Sequence, residues 1–131
     1  MKRKGYYVVP EGANPWPHEI NVAKILKDAG HIVEFIPESN WKRPDIKLDG
    51  KEYEIKSPRS NRIAAVEQNL KRATGKCSNV IMDSSRMKDI TDRSIQSYLV
   101  KKIKSQRSIK KLLFVNRERK IIDINDLALK S

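Results

Sequence analysis

The residues that could carry chemistry stand in one stretch of the chain, Arg43-Pro44-Asp45-Ile46-Lys47-Leu48-Asp49-Gly50-Lys51-Glu52-Tyr53-Glu54-Ile55-Lys56. Asp45 and Glu54 could together hold a hard cation, for which Mg²⁺ or Mn²⁺ is expected rather than Zn²⁺. Lys56 could position or deprotonate a water, or stabilise negative charge on a phosphate. Glu19 could add a further ligand or a base. Such a set of groups is typical of metal-assisted phosphodiester hydrolysis.

The two carboxylates meet only if this stretch folds as a hairpin. Asp49-Gly50 predicts a two-residue turn, because the favoured turn needs positive φ at both central residues. That turn places Asp45 directly opposite Glu54, with Cβ atoms about 5 Å apart. Like charges at this distance require solvation, a shared proton or a cation. We favour the cation, because Lys56 lies on the same face of the hairpin.

Glu19 is predicted to point toward the same region from a helix between Pro17 and Gly30. It lies three and four residues before Val22 and Ala23, which open the apolar stripe of that helix. A competing interpretation is that Glu54 and Lys56 form an ordinary exposed pair, worth about 0–1 kcal/mol. The hairpin register and the position of Glu19 both favour a site instead.

The chain as a whole is predicted to be an α/β protein, an α/β/α sandwich with a mixed central sheet. The strand-helix-strand crossover after the hairpin makes its two strands parallel, while the hairpin itself is antiparallel. We expect one domain over residues 1–131, with its core at about 16–84 and a basic helix and C-terminal hairpin at about 86–125. The predicted elements are a strand at 6–9, a helix at 17–30, a strand at 31–36, the hairpin at 44–57, a helix at 60–74, a strand at 79–83, a helix at 90–105 and a final hairpin of 112–115 and 120–124.

The charge balance points to a polyanionic partner. The 131 residues carry a formal net charge of +12, and nucleic acid is the commonest such partner for a basic domain of this size. The lone Cys77 excludes an internal disulfide and a zinc finger. No apolar run is long enough for a membrane span or a signal peptide.

Two groups of basic residues are predicted to contact phosphates, which would give salt-dependent binding with little sequence choice. A merely solvated face is the competing interpretation. The first group flanks the proposed site on the second helix, and the second forms a dense basic region near the end of the third. The predicted nucleic-acid contacts are Arg59, Arg62, Lys71, Arg72, Lys101, Lys102, Lys104, Arg107, Lys110 and Lys111.

The spacing of Pro44-Asp45 and Glu54-Ile55-Lys56, with Glu19 in a preceding helix, resembles the PD-(D/E)XK nuclease superfamily. The predicted element order over residues 16–84 is also similar. The resemblance implies a restriction-endonuclease-like core, with Asp45 and Glu54 as metal ligands, Lys56 as the catalytic lysine and Glu19 as the helix-borne acid.

A narrower resemblance is to the C-terminal toxin domains of bacterial contact-dependent growth-inhibition proteins, several of which are tRNA nucleases of that superfamily. It rests on the segments Pro17-His18-Glu19, Gly30-His31-Ile32-Val33-Glu34-Phe35, Pro44-Asp45-Ile46 and Glu54-Ile55-Lys56-Ser57, with Ala23 and Leu26 between the first two. The resemblance implies auxiliary roles for His18, Ser57 and Gln68. The sequence starts at Met1 with no export stalk, so we expect an excised toxin domain or a free-standing relative from a phage or mobile element.

The sequence therefore predicts a metal-dependent endonuclease, acting on RNA and preferentially on tRNA, in the bacterial cytoplasm. The RNA preference rests on the toxin resemblance alone. An acidic immunity protein is the expected protein partner, given the positive charge. Two alternatives stay open, a DNA endonuclease or junction resolvase of the same superfamily, and a non-catalytic nucleic-acid-binding module.

Overall fold

A computed structural model describes residues 4–41 and 43–131, and over these residues the chain forms a seven-stranded sheet with four helices. The strands lie in the sheet in the order in which they occur along the chain. The elements are β1 (Tyr6–Val8), α1 (Pro17–Asp28), β2 (Ile32–Phe35), β3 (Ile46–Leu48), β4 (Lys51–Lys56), α2 (Ile63–Thr74), β5 (Asn79–Asp83), α3 (Asp92–Ser105), β6 (Lys111–Val115), β7 (Ile121–Asp123) and α4 (Ile124–Leu129).

The sheet is mixed, as predicted. Strands β4, β5 and β6 are parallel, and α2 and α3 supply the two crossovers between them. Strand β3 runs antiparallel to both of its neighbours, β2 and β4, and β7 runs antiparallel to β6. The parallel pairing of β4 and β5 through α2 is the strand-helix-strand unit that the sequence predicted.

The hairpin register is the predicted one. Ile46 pairs with Tyr53 and Leu48 with Lys51, so that Asp49 and Gly50 form the two-residue turn. Both turn residues have positive φ, 50° for Asp49 and 88° for Gly50. Glycine adopts such a backbone without steric cost, and Asp is among the few other residues that tolerate it.

Two apolar clusters cover the two sides of the sheet, which confirms the layered α/β architecture. One cluster joins α1 to the sheet and includes the inward residues of the hairpin, namely Ile46, Leu48, Tyr53 and Ile55. The other packs beneath α2, α3 and α4 and includes Val66, Leu70, Ile95, Leu99 and Ile124. Because successive strand residues point to opposite sides of the sheet, Glu54 and Lys56 point to the side on which α2 lies.

The C-terminus differs from the prediction. A strand was expected to run to residue 124 with no helix after it, whereas β7 ends at Asp123 and α4 follows immediately. The Asp123 carboxylate caps α4 by accepting a hydrogen bond from the Asp126 N–H at 3.1 Å. This capping interaction begins a helix at the point where the apolar pattern alone suggested a continuing strand.

No helix within the described residues is long and apolar enough to cross a membrane.

Candidate active site

Asp45 lies just before β3, at the open end of the hairpin. The ladder ends with the pair of Ile46 and Tyr53, and the Asp45 N–H also donates to the Tyr53 carbonyl, at 3.2 Å, so Asp45 bulges out of the predicted register. The Asp45 carboxyl nevertheless lies beside the Glu54 carboxyl and interacts with it. One carboxylate oxygen, Oδ2, accepts the N–H of Ile55 at 2.7 Å. The main chain of β4 therefore fixes the orientation of the Asp45 carboxylate beside the Glu54 side chain.

Glu54 is buried in the middle of β4, with 1% of its surface exposed. Its Oε1 is buried and receives no hydrogen bond from the described residues. Burial raises the pKa of Glu54 to about 7, and the adjacent Asp45 carboxyl raises it as the second cause. Lys76 and Lys56 oppose this increase. At neutral pH a proton is therefore shared at this point, or a cation takes its place.

Two lysines approach the other oxygen of Glu54. Lys56 Nζ lies 3.5 Å and Lys76 Nζ lies 3.3 Å from Glu54 Oε2. Lys56 stands two residues beyond Glu54 on the same face of β4, as the sequence predicted. Lys76 follows α2 and was missed. Its sequence signal was weak, because nothing in the spacing connects a loop lysine with a residue on β4.

Glu19 enters the site from the first turn of α1. Its Oε1 accepts the N–H of Trp16 at 2.8 Å, which satisfies an otherwise free donor at the helix start. Burial is the largest cause of the raised pKa of Glu19, and the neighbouring Asp45 carboxyl raises it further. The predicted convergence of the helix-borne acid on the hairpin carboxylates is therefore present in the folded chain.

These groups line a cleft of about 240 Å³ between α1, the hairpin and α2. The cleft contains all four of the predicted catalytic residues. It also contains one asparagine and two basic residues that the sequence did not indicate. The lining residues are Trp16, His18, Glu19, Asp45, Glu54, Ile55, Lys56, Ser57, Asn69, Lys76 and Arg86.

Arg86 organises the end of the cleft nearest the C-terminus of β4. Its guanidinium donates to the Ser57 carbonyl from Nη2 at 2.7 Å and from Nε at 3.1 Å. Its Nη1 lies 3.2 Å from His18 Nδ1. Burial, followed by the charge of Arg86, lowers the pKa of His18, so the imidazole is neutral at pH 7 and accepts this hydrogen bond. Arg86 directly follows the polar residues that end β5, and that position was its only sequence signal.

The auxiliary residues predicted with His18 differ in position. Ser57 lines the cleft, but its hydroxyl is buried and donates to Asp83 Oδ2 at 2.8 Å. Gln68 is exposed on α2 and does not line the cleft. The next residue, Asn69, lines it instead. A helix rotates by about 100° per residue, so an error of one position moves a side chain off the site.

The predicted phosphate contacts lie outside the cleft. Over the part of the chain that the structure describes, none of the ten lines it. Arg59 is close enough to the cleft for its charge to lower the pKa values of both His18 and Arg86. Lys111 begins β6 and Lys110 precedes it; β5 lies between β6 and β4, which places β6 about 10 Å from β4. Lys111 also forms an ion pair with Asp123.

The residues present are compatible with a hard divalent cation. Within residues 4–41 and 43–131, no group of three or more His, Cys, Asp and Glu side chains forms a ready metal site. Mg²⁺ and Mn²⁺ do not require one, since one or two carboxylates with water and substrate oxygens suffice. Two such carboxylates meet here, and the buried Oε1 of Glu54 has no donor within the described chain.

Comparison with solved structures reveals a similar fold. The chain matches "CdiA-CT/CdiI toxin and immunity complex from Burkholderia pseudomallei" with a TM-score of 0.68, over 87% of this chain and 96% of that chain. The sequence identity is 15%, so this likeness concerns the fold alone. No curated protein matches the chain.

Comparison with protein families gives a match at the level of sequence. The family model described as "Contact-dependent growth inhibition CdiA C-terminal domain" matches residues 42–121. This range is more than half of the 131 residues, and it includes the hairpin with Asp45, Glu54 and Lys56. The chain therefore belongs to the family of CdiA C-terminal toxin domains of contact-dependent growth inhibition.

Proposed function

We propose that this chain is a metal-dependent endonuclease toxin of the PD-(D/E)XK kind, which hydrolyses phosphodiester bonds in RNA and preferentially in tRNA. The observation that carries the proposal is the meeting of the Asp45 and Glu54 carboxyls, with one buried oxygen lacking a donor among the described residues and Lys56 beside them. Asp45 and Glu54 would hold Mg²⁺ or Mn²⁺. When bound, the metal would supply Lewis-acid polarisation of a phosphoryl oxygen.

The remaining groups have distinct expected roles. Lys56 is half-buried, so its ammonium would act at reduced dielectric on the negative charge that develops on the phosphate. Burial raises the pKa of Glu19, which makes it a stronger base than an ordinary carboxylate, and it would accept a proton from the attacking water. Arg86 is held by the Ser57 carbonyl at the cleft wall and would orient a neighbouring phosphate.

The preference for RNA rests on family membership, because the site chemistry itself does not distinguish RNA from DNA. The chain belongs to a family of toxin domains. The resemblance of its motifs to tRNA nucleases among such toxins is the reason for preferring tRNA. We accordingly propose the bacterial cytoplasm as the place of action. The similar structure was solved as a toxin and immunity complex, and a net charge of +12 would favour an acidic immunity protein as the partner here.

The decisive experiment is a cleavage assay with a matched lysine control. Purified protein is incubated with tRNA and with plasmid DNA, each with Mg²⁺, Mn²⁺ or EDTA. We expect cleavage of tRNA that requires the metal. Lys56→Ala should lower the rate by on the order of 10²–10³-fold, because a cation aimed at the developing charge is lost. Lys47→Ala removes an exposed lysine from the neighbouring strand and should leave the rate unchanged.

The other outcomes each contradict part of the proposal. Cleavage of plasmid DNA but not of tRNA would favour a DNA endonuclease of the same superfamily. Salt-sensitive binding without cleavage under any metal would favour a non-catalytic nucleic-acid-binding module. Undiminished cleavage by Lys56→Ala, with an unchanged circular dichroism spectrum, would remove Lys56 from the site.

A further inference from the structure

Two tryptophans are exposed at the edge of a groove beside the candidate active site. Trp16 is 67% exposed and Trp41 is 82% exposed, although tryptophan is usually buried for most of its surface. Both line a groove of about 400 Å³, within the range of about 300–1,000 Å³ that ligand sites occupy. We name it the tryptophan groove after Trp16 and Trp41.

The tryptophan groove is continuous with the active-site cleft. Trp16, Glu19, Asp45 and Lys76 line both of them. A strand whose phosphate lies at the carboxylates therefore has its adjoining nucleotide at the entrance of the groove.

The walls of the groove combine flat apolar surface with charged residues of both signs. Arg43 and Lys76 are its basic residues, and its acidic residues are Glu19, Glu38 and Asp45. The main chain at Trp41 is held by two hydrogen bonds with Ser39, at 3.0 and 3.2 Å. Exposed aromatic rings beside cations are the means by which proteins bind unpaired bases, through stacking and backbone contacts. The other apolar wall residues are Ala13, Pro15, Phe35, Ile36, Pro37 and Pro44.

We propose that the tryptophan groove binds one or two unpaired nucleotides next to the scissile phosphate, with their bases stacked on Trp16 and Trp41. In a duplex the faces of the bases are already stacked on one another, so they are not accessible to the tryptophan rings. The preferred substrate is therefore a loop or a single-stranded end rather than a helical stem. This inference rests on the proposed function, because the cleft supplies the scissile position.

Equilibrium binding in EDTA tests the groove apart from cleavage. The affinity of the protein is measured for a labelled single-stranded RNA and for the same RNA annealed to its complement, at fixed salt. Trp41→Ala and Trp16→Ala should each weaken binding of the single strand by at least about fivefold, the loss of one stacked base. Both should leave duplex binding within about twofold, since that binding depends on phosphate contacts.

Conservative and remote variants complete the design. Trp41→Phe retains an aromatic face and should restore most of the single-strand affinity. Leu129→Ala changes an 85% exposed apolar residue outside the groove and should have no effect on either RNA. Thermal unfolding of each variant should match the parent protein, because both tryptophans are largely exposed.

The inference is overturned if the tryptophan variants bind single-stranded RNA as tightly as the parent, or if they lose single-strand and duplex binding equally. It is also overturned if they lose affinity only for an immunity protein, which would make the groove a protein interface. Single-strand selectivity without cleavage would support the groove while removing the proposed enzyme. Cleavage without this selectivity would support the proposed enzyme while removing the role of the groove.

Discussion

Two carboxylates are buried on neighbouring parallel strands, and their surroundings differ. Asp83 on β5 and Glu54 on β4 are 0% and 1% exposed. The Asp83 carboxylate accepts hydrogen bonds from the Ser57 hydroxyl at 2.8 Å, and from the N–H and hydroxyl of Ser85, each at 3.0 Å. Glu54 has two lysines at one oxygen and no donor from the described chain at the other.

The difference separates a carboxylate that stabilises the fold from one that costs stability. A buried charge with its acceptor positions filled is tolerated and orders the loops around it. A buried carboxylate oxygen without a donor costs free energy unless a shared proton or a cation completes it. We infer that Asp83 is structural, and under the proposed function Glu54 would be a ligand of the metal.

The largest difference between Glu54 and Asp83 is expected in catalysis. Glu54→Gln keeps the shape of the side chain but removes the charge that would hold the metal. We expect the cleavage rate to fall by on the order of 10²–10³-fold. We also expect Mg²⁺ or Mn²⁺ to raise the melting temperature of the parent but not of this variant. Glu52→Gln, an exposed change on the same strand, is the control for both measurements. An equal thermal shift in the Glu54→Gln variant would contradict the assignment.

The pH dependence of stability is the next effect. Because the pKa of Glu54 rises to about 7 on folding, the folded state binds the proton more tightly than the unfolded state does. Its contribution to stability is therefore full below about pH 4.5 and is lost as the pH rises through 7, by up to about 3 kcal/mol. Urea unfolding of the metal-free protein between pH 4.5 and 8 measures this.

The same titration distinguishes Glu54 from other groups. Glu54→Gln should flatten this part of the pH profile and make the variant more stable than the parent at pH 8. Glu52→Gln should leave the profile unchanged. A profile that is equally steep in both variants would place the titrating group elsewhere.

The smallest expected effect concerns Asp83. Asp83→Asn replaces an acceptor oxygen with a donor NH₂ that faces hydroxyl and N–H donors, so at least one buried hydrogen bond is lost. We expect the free energy of unfolding to fall by about 2 kcal/mol, without the gain at pH 8 that Glu54→Gln shows. Asp28→Asn, at an exposed position, should change stability by less than about 0.5 kcal/mol. If Asp83→Asn is neutral and Glu54→Gln destabilises at pH 8, the comparison is reversed.

The hairpin is the part of the candidate site that was predictable from the sequence. A two-residue turn fixes the register of both strands, and the register in turn fixes which side chains are opposed. The position of Lys56 and the apolar opposite face follow from that local geometry, which also brings Asp45 close to Glu54 although the ladder itself ends at Ile46. The parallel pair of β4 and β5 followed equally from the single helix that connects them.

The other parts of the site depend on elements that are distant in sequence. Lys76 and Arg86 follow α2 and β5, and their side chains reach the cleft only because the packed sheet brings these loops beside β4. Asn69 rather than Gln68 faces the site, since the rotation of α2 is set by its packing and not by its own pattern.

The sequence by itself determined the mixed fold, the hairpin register from Ile46 to Tyr53 and the proximity of the Asp45 and Glu54 carboxyls, because turn chemistry and strand alternation act over a few residues. The bulge at Asp45, which replaces the predicted direct opposition, was decided by the tertiary structure. The tertiary structure alone decided that one oxygen of Glu54 lacks a donor among the described residues, that a second lysine reaches its other oxygen, and that Trp16 and Trp41 border one groove. Burial and solvent exposure are properties of packed surfaces, and those surfaces form only when distant segments are brought together.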